Sequence, residues 1–179
     1  MAPDAGAAPV PLGRLTQVAT IDGMSTGDMR HLGDDPATPA RLRQIPSRLL
    51  SIAAAQADRS VSAGLAAADA HKWHYAVLAA LDDSGQASQA TLSRRTGIYR
   101  SDLVSVINEL AGRGLVRREN DLSDRRRNII TLTAEGREQL SRLDHLVSAL
   151  QDDVLAPLSP AEREQLVGLL TRLVQHHAT

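Results

Sequence analysis

The segment from Leu115 to Gly136 restricts the fold of this chain more than any other. Two short apolar runs, LVRR and NIITLT, enclose a polar stretch with three successive arginines, Arg125–Arg127. β-Branched residues in alternation are typical of strands, and a polar stretch between two such runs is typical of a turn. The segment therefore predicts a β-hairpin with a cationic tip.

A helix-turn-helix pattern precedes this hairpin. Ala87–Gln89 predicts a short extended link, and Ala90–Arg95 predicts a first helix with Leu92 facing inward. Gly97 predicts the turn, because glycine adopts positive φ without strain. Arg100–Arg113 predicts the second helix, since apolar residues recur there at three- and four-residue spacing. Its core-facing residues are Leu103, Val106, Ile107 and Leu110.

Further helices are predicted on the N-terminal side. A short helix is expected at Pro39–Gln44 and a long one at Pro46–Ala67, where proline suits the first turn. Asp69 is expected to cap the next helix, Ala70–Asp82, which Gly85 ends. The inner face of that helix is predicted to consist of Trp73, Val77, Leu78 and Leu81.

Two more helices follow the hairpin. Thr133 is the expected N-cap of a helix that runs to Ala156, and Ser159–Glu162 has the pattern of a capping box that opens the last helix, to Gln175. The apolar stripes of these helices exceed what a small domain can cover, and a second copy of the chain usually buries such surface.

Composition agrees with a mainly helical protein. Hydrophobic residues make up 42% of the 179 residues, but there is no Phe and only one Trp, so the core must be aliphatic. The absence of cysteine excludes disulfides and thiolate metal sites. Residues 1–38, rich in Ala, Pro and Gly, are expected to form a mostly flexible tail without the features of a signal peptide. No apolar stretch approaches the roughly 18 residues of a membrane span, so we expect a cytoplasmic protein without a membrane partner.

Charge is concentrated in one part of the chain. Between Ala90 and Ile130 there are nine arginines and five acidic residues, a local net charge of +4 in a chain whose net charge is −1. Local positive charge favours phosphate binding even when the whole protein is not basic. The start of the second helix of the helix-turn-helix would reach base edges in a major groove. The candidates there are Tyr99, Arg100, Ser101, Asp102 and Ser105, with Arg94 and Arg95 as candidates for backbone contacts. Asp102 could instead cap its helix.

Neither a metal site nor catalysis is predicted. His71 and His74 are three residues apart and His176 and His177 are adjacent, but zinc needs three or four ligands in a closed shell. Gly23–Gly27 fits the G-x-S-x-G pattern without the strand and helix that a nucleophile elbow needs. We therefore expect no enzyme activity, no metal and no cofactor.

The order of these parts resembles the MarR (multiple-antibiotic-resistance regulator) family of winged helix-turn-helix transcription factors. The resemblance covers residues 40–176 and is carried by the segments 71–81, 90–119 and 121–136, above all by D-x-x-D-R-R followed by a strand and L-T-x-x-G. It departs from the family at Leu122 and Ser123, where Pro and Arg are frequent. It implies a mainly α fold with a small β-hairpin wing. The domain would span residues 39–179, with dimerisation helices at about 40–67 and 134–176 and the winged helix-turn-helix at about 70–133.

The resemblance also implies a homodimer that binds double-stranded DNA at a near-palindromic site. In the wing, Arg126 would enter the minor groove, Asp124 would orient it, and Arg125 or Arg127 would contact phosphate. Trp73, His74 and Tyr75 would lie at a cleft where a small-molecule effector binds and relieves repression. The alternative is a winged-helix module that uses the wing to bind an acidic protein without reading DNA sequence.

Overall fold

A computed structural model of the chain describes residues 38–120 and 128–177. The chain divides into two units, residues 1–52 and 53–179. In chain order the elements are α1 (Ala40–Arg43), α2 (Pro46–Ala67), α3 (Lys72–Ser84), β1 (Ala87–Ser88), α4 (Gln89–Thr96), α5 (Arg100–Gly112), β2 (Val116–Asn120), β3 (Asn128–Leu132), α6 (Ala134–Val154) and α7 (Pro160–His177). The prediction of a mainly α protein with a small β component is confirmed.

The described part of the first unit is helical and has no core of its own. Helix α1 follows Pro39, whose carbonyl accepts a hydrogen bond from the Leu42 amide at 2.9 Å. None of residues 38–52 is buried, and the larger apolar side chains there are exposed. They are Leu42, Ile45, Leu49 and Leu50.

The second unit is built around one aliphatic core, as the absence of Phe predicts. The inward stripe of α5 is fully buried, and it meets residues from the end of α2, from α3, α4 and α6, and from the sheet. The largest fully buried side chains are Leu65, Leu78, Leu81, Leu92, Leu103, Ile107, Leu110, Ile130 and Leu143.

The sheet has three antiparallel strands in the order β1-β3-β2. The predicted hairpin supplies β2 and β3, with Arg118 opposite Ile130. The predicted extended link supplies β1, in which Ala87 lies opposite Ile130 on the other side of β3. The helix-turn-helix is therefore joined to the hairpin through backbone hydrogen bonds.

The start of α3 differs from the prediction in two respects. Helix α3 begins at Lys72 with His71 as its N-cap residue, and Asp69 does not cap it. Asp69 instead adopts φ 52° in the turn after α2, where glycine-like backbone is needed. Trp73 is 38% exposed and is not on the inner face. The buried residues of α3 are His74, Val77, Leu78 and Leu81. Position 74 is three, four and seven residues before the three aliphatic ones, so it lies on the same face of the helix. Trp73 is one residue earlier, which places it about 100° around the helix axis from His74.

The predicted caps of the last two helices are confirmed. Thr133 accepts a hydrogen bond from the Gly136 amide at 2.9 Å, and Ser159 and Glu162 bond reciprocally as a capping box. Within the described residues, none of the helices combines the length and the apolar character that crossing a membrane requires.

Candidate nucleic-acid interface

The helix-turn-helix is held rigid by side-chain hydrogen bonds at both ends of α4. Ser88 accepts from the Thr91 amide at 3.2 Å and so caps the start of the helix. Gly97 follows the helix with φ 71°, as the sequence predicts. Ser93 donates to the Ile98 carbonyl at 2.7 Å, which fixes the chain that leads into α5. The angle between α4 and α5 is thus set by the local sequence as well as by the core.

Helix α5 presents its polar face to solvent. Its apolar stripe is buried, and Arg100, Ser101 and Ser105 are exposed on the other side. Tyr99, the N-cap residue, is 79% exposed and makes no side-chain cap. Asp102 lies in the first turn, where a carboxylate interacts favourably with the helix dipole, but the N-cap position belongs to Tyr99.

The two serines of this face are already hydrogen-bonded within the helix. Ser101 donates to the Asp102 carboxylate at 3.2 Å, and Ser105 donates to Oε1 of Glu109 at 3.0 Å. Both bonds are exposed to solvent, so each hydroxyl can exchange its partner for another acceptor at small cost.

The arginines of this region fall into two groups. Arg113 pairs with Asp69, Arg117 pairs with Glu119, and Arg118 donates to Asn108 at 2.6 Å. The Arg118 bond joins β2 to the exposed face of α5. The side chains of Arg94, Arg95 and Arg100 are exposed and bond to no other residue that the structure describes. Among the described arginines of this region, the unpaired ones are therefore at the end of α4 and the start of α5.

Strands β2 and β3 lie on either side of residues 121–127 in the chain. Asp124, Arg125, Arg126 and Arg127, the predicted wing contacts, lie outside the described residues. The last paired positions before this segment are Asn120 and Asn128, which are opposite each other.

Of the predicted ligand-pocket residues, Trp73 and His74 both contact His71, whereas Tyr75 contacts α6. The Trp73 ring stands edge-on to His71 with centroids 6.0 Å apart. His74 is buried and faces Glu109, whereas the Tyr75 hydroxyl donates to Asp144 of α6 at 2.9 Å. The prediction that they line one effector cleft stays a prediction.

Glu109 has a contact role that its position in the sequence does not predict. Its Oε2 atom lies 3.1 Å from Nε2 of His74 and 3.5 Å from Nε2 of His71. The two imidazole rings are stacked with centroids 3.5 Å apart. Burial, followed by the neighbouring His71, lowers the pKa of His74, while hydrogen bonds from Ser105 and then His74 lower the pKa of Glu109. The contact is therefore a hydrogen bond from a neutral imidazole to a carboxylate at neutral pH.

The cluster of His71, His74 and Glu109 joins the start of α3 to α5. Glu109 is four residues after Ser105 on α5, and the histidines are the N-cap and a first-turn residue of α3. Arg113 adds a second link, because it donates to the Asp69 carbonyl at 2.6 Å. No sequence signal connects these residues, since 35 positions separate His74 from Glu109.

Comparisons with known proteins identify the family. The MarR family model matches residues 69–127. The putative transcriptional regulatory protein for the hcr operon of Thauera aromatica is 36% identical over 99 residues, which are 55% of this chain and 60% of that protein. The match thus spans less than two thirds of that relative. The transcriptional regulator HosA of Escherichia coli is 31% identical over 106 residues, 59% of this chain and 78% of HosA.

Solved structures share the fold. The transcriptional repressor CouR, bound to a 23-mer DNA duplex, is 27% identical with a TM-score of 0.70, over 75% of this chain and 96% of CouR. Bordetella bronchiseptica BpsR, whose DNA binding is regulated by 6-hydroxynicotinic acid, is 26% identical with a TM-score of 0.65, over 72% of this chain and 97% of BpsR. With its helix-turn-helix and β-hairpin arranged as described above, the chain therefore belongs to the MarR family of winged-helix transcriptional regulators.

Proposed function

We propose that this protein is a sequence-specific DNA-binding regulator that acts as a homodimer and represses transcription until a small-molecule effector releases it. The observation that carries the proposal is the distribution of paired and unpaired arginines. The arginines that hold the domain together have protein partners, and those at the front of the helix-turn-helix have none among the described residues. Exposed guanidinium groups without a carboxylate partner are available to phosphates.

Helix α5 is the proposed recognition helix. Arg100, its first residue, can donate two hydrogen bonds to guanine O6 and N7 in a major groove. Ser101 and Ser105 are proposed to contact bases or phosphates, and Tyr99 and Asp102 flank them. Arg94 and Arg95 at the end of α4 are proposed to contact the DNA backbone, which fixes position without reading sequence.

The wing contacts are proposed from the sequence. Arg126 would enter the minor groove with Asp124 beside it, and Arg125 and Arg127 would contact phosphates. The pairing of β2 with β3 supports this assignment, because Asn120 and Asn128, the residues on either side of 121–127, lie opposite each other.

A homodimer is supported by exposed apolar surface on both units. On α7, Val174 is 70% exposed and Val167 is 59% exposed, and both lie on the same side of the helix as the exposed Leu170. The first unit exposes its aliphatic residues as well. Surfaces of this kind are commonly buried by a second copy of the chain. That copy would also supply the second helix-turn-helix that a near-palindromic site requires.

Effector control is proposed from the relatives and from the position of one segment. DNA binding by BpsR is regulated by a hydroxylated aromatic acid, and BpsR shares the fold. Trp73, His74 and Tyr75 begin α3, which packs against α4, α5 and α6. An effector bound there would change DNA affinity only if it prefers one arrangement of these helices. A cytoplasmic location is part of this proposal.

The decisive experiment selects genomic fragments with the purified full chain and then measures affinity for the selected DNA. We expect two half-sites about one helical turn apart and an affinity that falls steeply with salt. Arg100→Ala and Arg126→Ala should each weaken binding about 5- to 150-fold, the equivalent of roughly 1–3 kcal/mol. Arg94→Ala should instead reduce the salt slope by about one and leave sequence preference unchanged.

Arg142→Ala is the matched control, because Arg142 is exposed on α6 and bonds only to Gln139, one turn earlier, among the described residues. It should bind DNA like the unmodified chain. Unchanged fragment selection by an Arg125→Ala/Arg126→Ala variant would contradict the wing assignment. Failure to select any fragment, together with salt-sensitive binding of an acidic protein, would favour the interaction module instead.

A further inference from the structure

We infer that His71, His74 and Glu109 form a Zn²⁺ site that joins α3 to the recognition helix. They are the one group within the described residues in which three candidate ligand atoms lie within 4.8 Å of one another. The site goes beyond the proposed DNA binding, because it is defined by ligand geometry alone. Only its effect on DNA affinity rests on the proposed function.

The distances fit a zinc ion. Zinc bonds to imidazole nitrogen at about 2.0–2.1 Å and to carboxylate oxygen at about 2.0–2.2 Å in a tetrahedron, so two ligand atoms are about 3.3 Å apart. The Glu109 oxygen is 3.1 Å from one histidine nitrogen and 3.5 Å from the other. Two of the three edges are thus within 0.2 Å of that length, and the third is bounded by the 4.8 Å that encloses all three ligand atoms. Because the two imidazole rings are stacked at an interplanar angle of 29°, the partly exposed His71 ring must rotate before both Nε2 atoms can bind one ion.

The donor chemistry fits as well. Two histidines and one glutamate are a ligand set that proteins use for zinc when a fourth position is left to water. An ionised carboxylate and a neutral imidazole are the forms of these side chains that bind metal. Ser105 donates to the other carboxylate oxygen, Oε1, and so orients Oε2 toward the imidazoles, as hydrogen-bonded outer residues do in known metal sites.

The exposure of the three side chains would allow an ion to enter the site from solvent. His71 and Glu109 side chains are 43% and 49% exposed, so an ion can enter from solvent, whereas His74 is held in the core. Nδ1 of His74 is buried without a partner among the described residues, so the ring is fixed by hydrogen bonding only at Nε2, the atom that faces Glu109. A metal bond at Nε2 displaces the proton that this nitrogen donates to Glu109 and leaves the ring proton on Nδ1, which has no acceptor among the described residues, so the Zn²⁺ bonds must outweigh the cost of that buried donor.

Zinc at this position would couple to the recognition helix. Glu109 follows Ser105 by one turn on α5, and Ser105 is a proposed DNA contact. The ion would hold α5 against the start of α3 in the described arrangement. We therefore expect Zn²⁺ to change the affinity of the chain for its selected DNA.

The test uses the full chain after chelator treatment. Zn²⁺ affinity is measured by competition with a chromogenic chelator, and Co²⁺ is added as a probe whose visible absorption reports tetrahedral coordination. We expect one ion per chain. Glu109→Gln and His71→Gln should each weaken Zn²⁺ binding at least tenfold, since losing a direct ligand should cost no less than losing an outer residue, for which the loss is about 10–100-fold. Both side chains are half exposed, so both variants should retain the fold, which circular dichroism checks.

Two variants control for other histidines. His145→Gln removes an exposed histidine from α6, and His176→Gln/His177→Gln removes the C-terminal pair; both should bind Zn²⁺ like the unmodified chain. An unmodified chain that takes up neither ion would overturn the site and leave a hydrogen-bonded cluster. Binding that survives in Glu109→Gln and His71→Gln but fails in the C-terminal double variant would do the same. Metal binding without any effect on DNA affinity would overturn the coupling alone, and absence of DNA binding would leave the metal result intact.

Discussion

Replacing Gly136 by alanine should destabilise the protein although the residue is in a helix, where alanine is normally preferred. Gly136 is in the first turn of α6, three residues after the N-cap Thr133. A Cβ atom at this position would lie 2.0 Å from the backbone oxygen of Leu115 and 2.7 Å from Cδ1 of Leu132. The leucine side chain can turn away, but the carbonyl belongs to the chain that leads into β2. The helix and the hairpin must therefore separate by about 1 Å.

That separation breaks specific hydrogen bonds. The Leu115 carbonyl accepts from the Thr133 amide at 3.2 Å and from the Thr133 hydroxyl at 3.0 Å. Each bond contributes about 1 kcal/mol, and overpacking adds about 1–3 kcal/mol. The better helix propensity of alanine offsets up to about 1 kcal/mol. We expect a net loss of about 3 kcal/mol in the free energy of unfolding.

The assay is urea unfolding followed by circular dichroism at one fixed protein concentration, because a dimer would make stability depend on concentration. Gly112→Ala is the matched control. Gly112 also lies in a helix, but a Cβ there meets nothing within 4 Å. It should leave the unfolding midpoint unchanged or raise it. Equal midpoints for Gly136→Ala and the unmodified chain would refute the argument that backbone contact at this junction requires glycine.

Two further predictions concern caps. Ser88→Ala removes the hydroxyl that caps α4, so it should lower the free energy of unfolding by about 1 kcal/mol in the same assay. Ser84→Ala is the control, because it removes only a hydrogen bond to the Ala80 carbonyl within α3 and should change the free energy of unfolding little. Equal stabilities of the two variants would exclude a capping role for Ser88. Hydrogen bonds from Ser159 hold the pKa of Glu162 below its ordinary value, so the stability from its ionised form is present at neutral pH and is lost as the pH falls through the lowered pKa. Glu162→Ala should accordingly reduce the melting temperature at pH 7, and the difference from the unmodified chain should shrink as the pH falls below about 4; a difference that stays constant with pH would contradict this assignment.

The local elements follow from the sequence because their causes are local. Gly97 and Gly85 end helices with positive φ, and Thr133 and Ser159 cap helices through residues three positions later. The spacing of apolar residues in α5 identified the whole buried stripe. The polar face of α5, with Arg100 at its start, follows from the same spacing.

Errors arose where the chain depends on contacts that are distant in sequence. Asp69 is a residue type that is frequent at N-caps, but its backbone is in the left-handed region, and its carboxylate and carbonyl bind Arg113, the C-cap residue of α5. Trp73 was assigned to the core because it is large and apolar, yet the helical register set by Val77, Leu78 and Leu81 buries His74 in its place. Hydrophobicity alone cannot decide between adjacent positions on a helix.

A mainly helical chain, with a helix-turn-helix, a hairpin after it and a concentration of arginines between residues 90 and 130, could be predicted without coordinates. The packing of the helices was needed to show which of the described arginines have protein partners, and that Glu109 contacts two histidines at the start of another helix. The physical reason is that caps, turns and helical periodicity act over a few residues, whereas ion pairs and ligand sets form between side chains that folding of the core brings together. Charge can be counted in a sequence, but the partner of each charge is fixed only when the helices pack.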